Sequence, residues 1–212
     1  MNRLTGIVLV ATVFLAQTAV GQSTQGWKVR VDRSTSASDP DASGAVKFTA
    51  SGGGYHATNP QAAVYWNPAN TASGNYTLKG SFTLLEPSNH TNYYGLVFGG
   101  KDLDGAQQTY TYFTVAQDGT WLLKRREGSS TNIISRGPSG AVKTPGSDGK
   151  SVNALEVRVS ASKVDFVVNG TVVHSAAKTG PLANTDGIYG ARVNHFLNVQ
   201  IDGLSVSKLE VV

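Results

Sequence analysis

Tyr93-Tyr94-Gly95-Leu96-Val97-Phe98-Gly99-Gly100 runs into Lys101-Asp102-Leu103-Asp104-Gly105. Then come Thr109-Tyr110-Thr111-Tyr112-Phe113-Thr114-Val115, Asp118-Gly119 and Thr120-Trp121-Leu122-Leu123-Lys124-Arg125-Arg126. The pattern is a strand, a polar loop and a hairpin. Asp118-Gly119 predicts a two-residue type I′ turn. In that register Ala116 faces Trp121, Val115 faces Leu122 and Phe113 faces Lys124. One face then carries Phe113, Val115 and Leu122, with Lys124 towards the strand end, and is assigned to the core. The other carries Tyr110, Tyr112, Thr114, Trp121, Leu123 and Arg125, a partly exposed aromatic face with an arginine. A slip of one residue would exchange the faces.

The same alternation extends outward. Across residues 74–85, Tyr76, Leu78, Phe82 and Leu84 share one face and polar side chains the other, as in an antiparallel sheet with one wet side. Gly80 among them marks a bend or a bulge. Val164-Asp165-Phe166-Val167-Val168 and Thr171-Val172-Val173-His174 flank Asn169-Gly170, a strong hairpin signal. Residues 27–31, 46–50, 62–66, 153–160, 187–193, 196–201 and 204–209 read as further strands, with a turn at Asp202-Gly203. Residues 128–151 are rich in Ser, Gly and Pro, a long loop touching down at Ile133-Ile134 as an edge strand. About twelve strands with closely spaced turns and no convincing helix predict an all-β, antiparallel β-sandwich of jelly-roll type. Residues 27–212 form one such domain, with no internal repeat.

The N-terminus carries an address. Asn2 and Arg3 precede a mostly apolar run, and Ala19-Val20-Gly21 offers small residues for cleavage, so residues 1–21 read as an export signal. Residues 22–26 are a polar leader. The apolar run falls short of the roughly 20 residues a permanent anchor needs, so no membrane span remains after signal removal. The 212-residue chain has no cysteine, so no disulfide braces the exported fold. The expected destination is secreted or periplasmic, with bacterial export favoured. The net charge of +4 is spread along the chain. Lys124-Arg125-Arg126, the one basic run, reads as a solvated strand end, so nucleic acid is not an expected partner.

Chemistry is thinner. Asp102-Leu103-Asp104 reads first as a polar loop. The same oxygens suit a Ca²⁺ ion, a hard cation that wants clustered oxygens, or form a weak catalytic pair. No carboxylate run with the spacing of a retaining glycosidase is present, which needs carboxyls roughly 5 to 5.5 Å apart. His56, His90, His174 and His195 show no metal-ligand spacing and read as surface or structural. Arg192, Asn194 and His195 bunch at one strand end, where a guanidinium fork, an amide and an imidazole suit sugar hydroxyls or a carboxylate. The bland alternative is a corner held by Asn194. Tyr110, Tyr112 and Trp121, with Arg125 beside them, are either packing or a sugar platform, because three large rings on one face must meet the core or a ligand. No nucleophile elbow or phosphate loop is present.

Val164-Asp165-Phe166-Val167-Val168-Asn169-Gly170-Thr171-Val172-Val173 resembles the hairpin unit of laminin G-like and concanavalin A-like sandwiches. Tyr94-Gly95-Leu96-Val97-Phe98-Gly99, Gly187-Ile188-Tyr189-Gly190-Ala191-Arg192-Val193 and Gly26-Trp27 together resemble the bacterial secreted domain family named for 3-keto-disaccharide hydrolases. The resemblance spans residues 27–208. It implies a concanavalin A-like fold and work on sugars. The expectation is an exported carbohydrate-binding sandwich, accessory to glycan recognition or breakdown, with oligosaccharide or polysaccharide as partner and no cofactor beyond the Ca²⁺ reading. The alternatives are a glycoside hydrolase of 3-keto-disaccharide type and a structural or adhesion module.

Overall fold

A computed structural model describes residues 23–209. The export-signal reading of residues 1–21 lies outside them. The strands are Lys28–Asp32 (β1), Lys47–Ser51 (β2), Gly54–Asn59 (β3), Ala62–Ala72 (β4), Tyr76–Glu86 (β5), Tyr93–Lys101 (β6) and Thr109–Ala116 (β7). Thr120–Glu127 (β8), Ser130–Pro138 (β9), Ser151–Val159 (β10), Lys163–Val168 (β11), Thr171–Ala177 (β12), Gly187–Val193 (β13) and Leu197–Lys208 (β14) follow. They form two seven-stranded antiparallel sheets, β1-β4-β13-β6-β7-β8-β9 and β12-β11-β10-β5-β14-β3-β2. The predicted all-β sandwich is therefore observed. Among the described residues, no helix is long and apolar enough to cross a membrane.

The core lies between the inner faces. Tyr94, Leu96 and Phe98 of β6, with Phe113 and Val115 of β7, meet Leu155 and Val157 of β10 and Phe166 of β11. Tyr76, Leu78, Phe82 and Leu84 of β5 are all fully buried, as their alternation requires. β5 itself runs unbroken through Gly80. The irregularity falls on its partner, β14, between Asp202 and Ser205, where Leu204 comes within 3.5 Å of the space a Cβ on Gly80 would occupy. Asp202-Gly203 is thus a bulge inside one long strand, not a turn between two. The Ser/Gly-rich stretch after Gly128 carries a full edge strand, β9, paired with β8 along its length.

The two Gly-containing hairpins differ. Asn169 and Gly170 both take positive φ, 49° and 83°, and Val168 pairs with Thr171, the geometry of a type I′ turn. At Asp118-Gly119 only Gly119 has positive φ, 84°. Its N–H donates to the Ala116 carbonyl at 3.2 Å, while the Asp118 carboxylate accepts the Thr120 N–H and hydroxyl. The turn is a three-residue type with glycine in the left-handed position, so Val115 pairs with Trp121, and Phe113 with Leu123. This one-residue shift corrects the predicted face assignment of β8. Trp121 and Leu123 join Phe113 and Val115 in the core. Leu122, Lys124 and Arg126 share the outer face with Tyr110 and Tyr112.

Candidate functional site

The outer face of the first sheet is concave. Asp32 stands on edge strand β1 and Arg126 on β8, five strand steps away. A flat sheet would separate them by about 24 Å at the usual interstrand spacing. Instead Arg126 Nη2 lies 2.9 Å from Asp32 Oδ2.

Half of this concavity is plugged. The loop after β6 swings across the face and buries Leu103 on Val64, Trp66, Val97, Tyr110 and Tyr112. Arg30 of β1 holds the loop by donating to the Leu103 carbonyl at 3.2 Å and the Gly105 carbonyl at 2.7 Å. Lys28 pairs with Asp104. The Asp102 carboxylate turns back to accept the Gln107 N–H at 3.2 Å. Asp102 and Asp104 therefore fasten this plug, and neither lines the cleft beyond it.

The other half is an open, polar cleft of about 550 Å³. Asp32 is its hub. Its Oδ2 accepts from Arg192 Nη1 at 2.5 Å, from Arg126 Nη2 and from the Tyr110 hydroxyl at 3.3 Å. Burial alone would push the Asp32 carboxyl up, but the charge and hydrogen bond of Arg192, then Arg126 and Tyr110, hold it below the ordinary carboxylate value. Arg192 is itself buried. It donates to the Tyr110 oxygen at 3.0 Å and to Asn194 Oδ1 at 3.2 Å, and its guanidinium lies 5.0 Å from the centre of the Tyr112 ring. Burial opposes its charge, but Tyr110, Tyr112 and Asp32 raise its pKa on balance.

Around this hub the charge does not balance. Arg33, Lys124, Arg126, Arg136 and Arg192 line the cleft against Asp32, Asp39 and Asp41. Arg126 and Arg192 are taken up by Asp32. Lys124 and Arg136 join none of the ion pairs among the described residues. Burial, then the charges of Arg192, Arg126 and Arg136, push the Lys124 ammonium below its ordinary pKa. Such a group gains from any anion that reaches it.

At the cleft mouth stand Asp39, Asp41, Asn92, Asn194 and His195, with His90 beside His195. One ligand atom each from Asp39, His90 and His195 lies within 4.8 Å of the others.

Of the residues marked in the sequence, the structure brings Arg192, Asn194 and His195 to the cleft, whereas the Tyr110 and Tyr112 rings lie buried against Leu103 and form no exposed sugar platform. Trp121 is on the opposite side of the sheet, in the core, with its ring stacked on His174 at 5.2 Å. Arg125 also points away, to Glu127 and the Thr111 hydroxyl. Sequence reasoning missed Asp32, Asp39, Asp41, His90, Lys124 and Arg126. For Lys124 and Arg126 the signal existed, since alternation sends them to one face and Arg125 to the other once the turn is known.

Two curved antiparallel sheets of seven strands, one concave face carrying a cleft, define a galectin-like, concanavalin A-like β-sandwich. Solved structures share that fold. Carbohydrate-binding module CBM66 from Bacillus subtilis matches with TM-score 0.58 and 12% identity, over 86% of this chain and 96% of its own. A Bacillus subtilis protein of unknown function with a galectin-like fold matches with TM-score 0.61 and 14% identity, over 87% and 90%. The exoplasmic/lumenal domain of VIP36, in a form bound to Ca²⁺ and Man3GlcNAc, matches with TM-score 0.62 and 9% identity, over 90% and 86%. No protein-family model and no curated protein matches the chain. The sandwich part of the sequence resemblance is thus found, and the hydrolase family is not.

Proposed function

We propose that this is an exported carbohydrate-binding protein whose concave-face cleft takes an oligosaccharide carrying an acid group. The observation that carries this reading is the pair Lys124 and Arg136, cationic, facing the cleft and without a carboxylate partner, beside a hub of fixed donors and acceptors. Asn92, Asn194 and His195 supply the planar polar groups that sugar hydroxyls need. The sandwiches of similar fold include a carbohydrate-binding module and a sugar-bound lumenal domain, which supports the class. Binding is favoured over hydrolysis by Asp32. A glycosidase needs one carboxyl held protonated as general acid and a second, ionised one free to act as nucleophile or base, whereas the carboxyl at the centre of this cleft is held ionised with its Oδ2 taken up by Arg126 and Arg192. The N-terminal 21 residues supply the export signal, which fits action on glycans outside the cytoplasm.

Calorimetry with a uronate-containing oligosaccharide and a neutral one of equal length tests this. The acidic sugar is expected to bind once per chain, unhydrolysed, and Lys124→Gln to weaken it by about 10- to 100-fold, the value of one charge-assisted hydrogen bond. Preference for the neutral sugar would remove the acidic assignment. No binding across a glycan array would leave the adhesion reading in its place.

A further inference from the structure

Three lone-pair atoms converge at the mouth of the cleft. Nε2 of His90 lies 3.2 Å from Nε2 of His195. Oδ1 of Asp39 lies 3.0 Å from the first and 3.3 Å from the second. Both imidazoles are oriented from behind. The His195 Nδ1–H donates to Asp41 Oδ1 at 2.9 Å, and the His90 Nδ1–H donates to Asn89 Oδ1 at 2.6 Å. A neutral imidazole has one N–H and one lone pair. With Nδ1 protonated on both rings, both Nε2 atoms offer lone pairs to the same point as the Asp39 carboxylate. Asn92 Nδ2, 3.0 Å from His90 Nε2, is the donor that now meets one of them.

We infer that Asp39, His90 and His195 form a binding site for a divalent first-row transition metal, with Zn²⁺ as its natural probe. Tetrahedral bonds of about 2.0–2.1 Å set ligand atoms roughly 3.3–3.4 Å apart, and the three separations here fall at or just under that spacing. Two imidazoles with one carboxylate suit zinc and its neighbours, whereas Ca²⁺ and Mg²⁺ want an all-oxygen set. The Asp41–His195 contact is the carboxylate–histidine arrangement that orients metal-ligating imidazoles. Asp41 is itself anchored, its Oδ2 accepting the Ser34 N–H at 2.7 Å. The Ser34 hydroxyl donates to the Asp39 carbonyl at 2.6 Å, so one loop presents ligand and orienting carboxylate together. Phe196, at φ 57°, packs its ring 5.5 Å from His90 and 4.8 Å from His195. The His195 side chain is 7% exposed, and those of His90 and Asp39 are 36% and 48%. The remaining coordination positions therefore open towards solvent and ligand. A bound metal would further clamp three connections, β1 to β2, β5 to β6, and β13 to β14, already in contact through His195–Asp41 and Phe196–His90.

The site shares His195 with the proposed sugar cleft, but it is argued from ligand geometry alone and is tested without sugar, by calorimetric titration of the untagged, chelator-treated full chain with ZnCl₂. One Zn²⁺ per chain is expected. Asp39→Asn and His90→Gln, at partly exposed positions that leave the core untouched, are each expected to weaken binding by at least about tenfold. Asp41→Asn should weaken it by about 10- to 100-fold, the range for groups that orient a ligand. His56→Gln and His174→Gln serve as controls and should bind as the parent does. Co²⁺ should give the intense visible bands of a four-coordinate site, lost in His90→Gln. No Zn²⁺ uptake by the parent chain, or uptake unchanged in both Asp39→Asn and His90→Gln, overturns the assignment.

Discussion

Asp32 and Arg192 meet at 2.5 Å in the lining of the cleft, and the cleft is organised around that pair. β4 lies between their strands, and the two side chains reach over it on the concave side. Arg126 and Tyr110 complete the arrangement on the same oxygen.

Asp32→Asn removes the charge that compensates buried Arg192 and Arg126. Breaking one partner out of a buried pair costs about 3–5 kcal/mol, so a fall of that size in unfolding free energy is expected by urea titration. The acid limb should change too. The folded carboxyl titrates below the ordinary 3.8, so its stabilisation is complete above that value and is lost as pH falls through the lower folded value. The parent should lose stability steeply below about pH 4, and Asp32→Asn should lose less over the same window.

Leu103→Ala tests the plug. Leucine truncation at a buried site costs about 2–5 kcal/mol, and here the lost contacts tie a loop to the sheet. Destabilisation near the lower end is expected, with protease cleavage appearing within residues 101–108. Cleavage unchanged from the parent would show that Arg30 and Lys28 hold the loop without Leu103.

Trp121→Phe separates core from platform. Trp121 is 5% exposed on the inner face, so sugar affinity should be unchanged while thermal stability falls. A loss of affinity with stability intact would return Trp121 to the ligand.

How much of this was readable from sequence follows from what each feature depends on. Asn169-Gly170 was legible because its turn is set by two adjacent residues. Asp118-Gly119 looks equivalent, but the Asp118 carboxylate is engaged with Thr120 and its backbone stays out of the left-handed region. One residue of register follows, and with it the faces of Trp121, Lys124, Arg125 and Arg126. Arg192, Asn194 and His195 were found because they are neighbours in the chain. Asp32 was not, because its partners arrive only when the sheet curves. His90 and His195 stand 105 positions apart, and no spacing rule links them.

Lys124 gives the cleft a pH dependence. Its ammonium loses its proton below the ordinary 10.5, so affinity for an acidic sugar should decline as pH rises towards that value, earlier than a solvated lysine would allow. Lys124→Gln should bind weakly and with a flat profile over the same range. Equal profiles would mean that the ammonium does not meet the ligand.

The most direct test of an acid-sugar cleft is amide chemical-shift mapping with the uronate oligosaccharide. The largest shifts are predicted at Asn92, Lys124, Arg136 and Asn194, with residues around Gly80 on the second sheet unmoved. Shifts centred on loop 102–108 or on the second sheet, with the cleft silent, would contradict it.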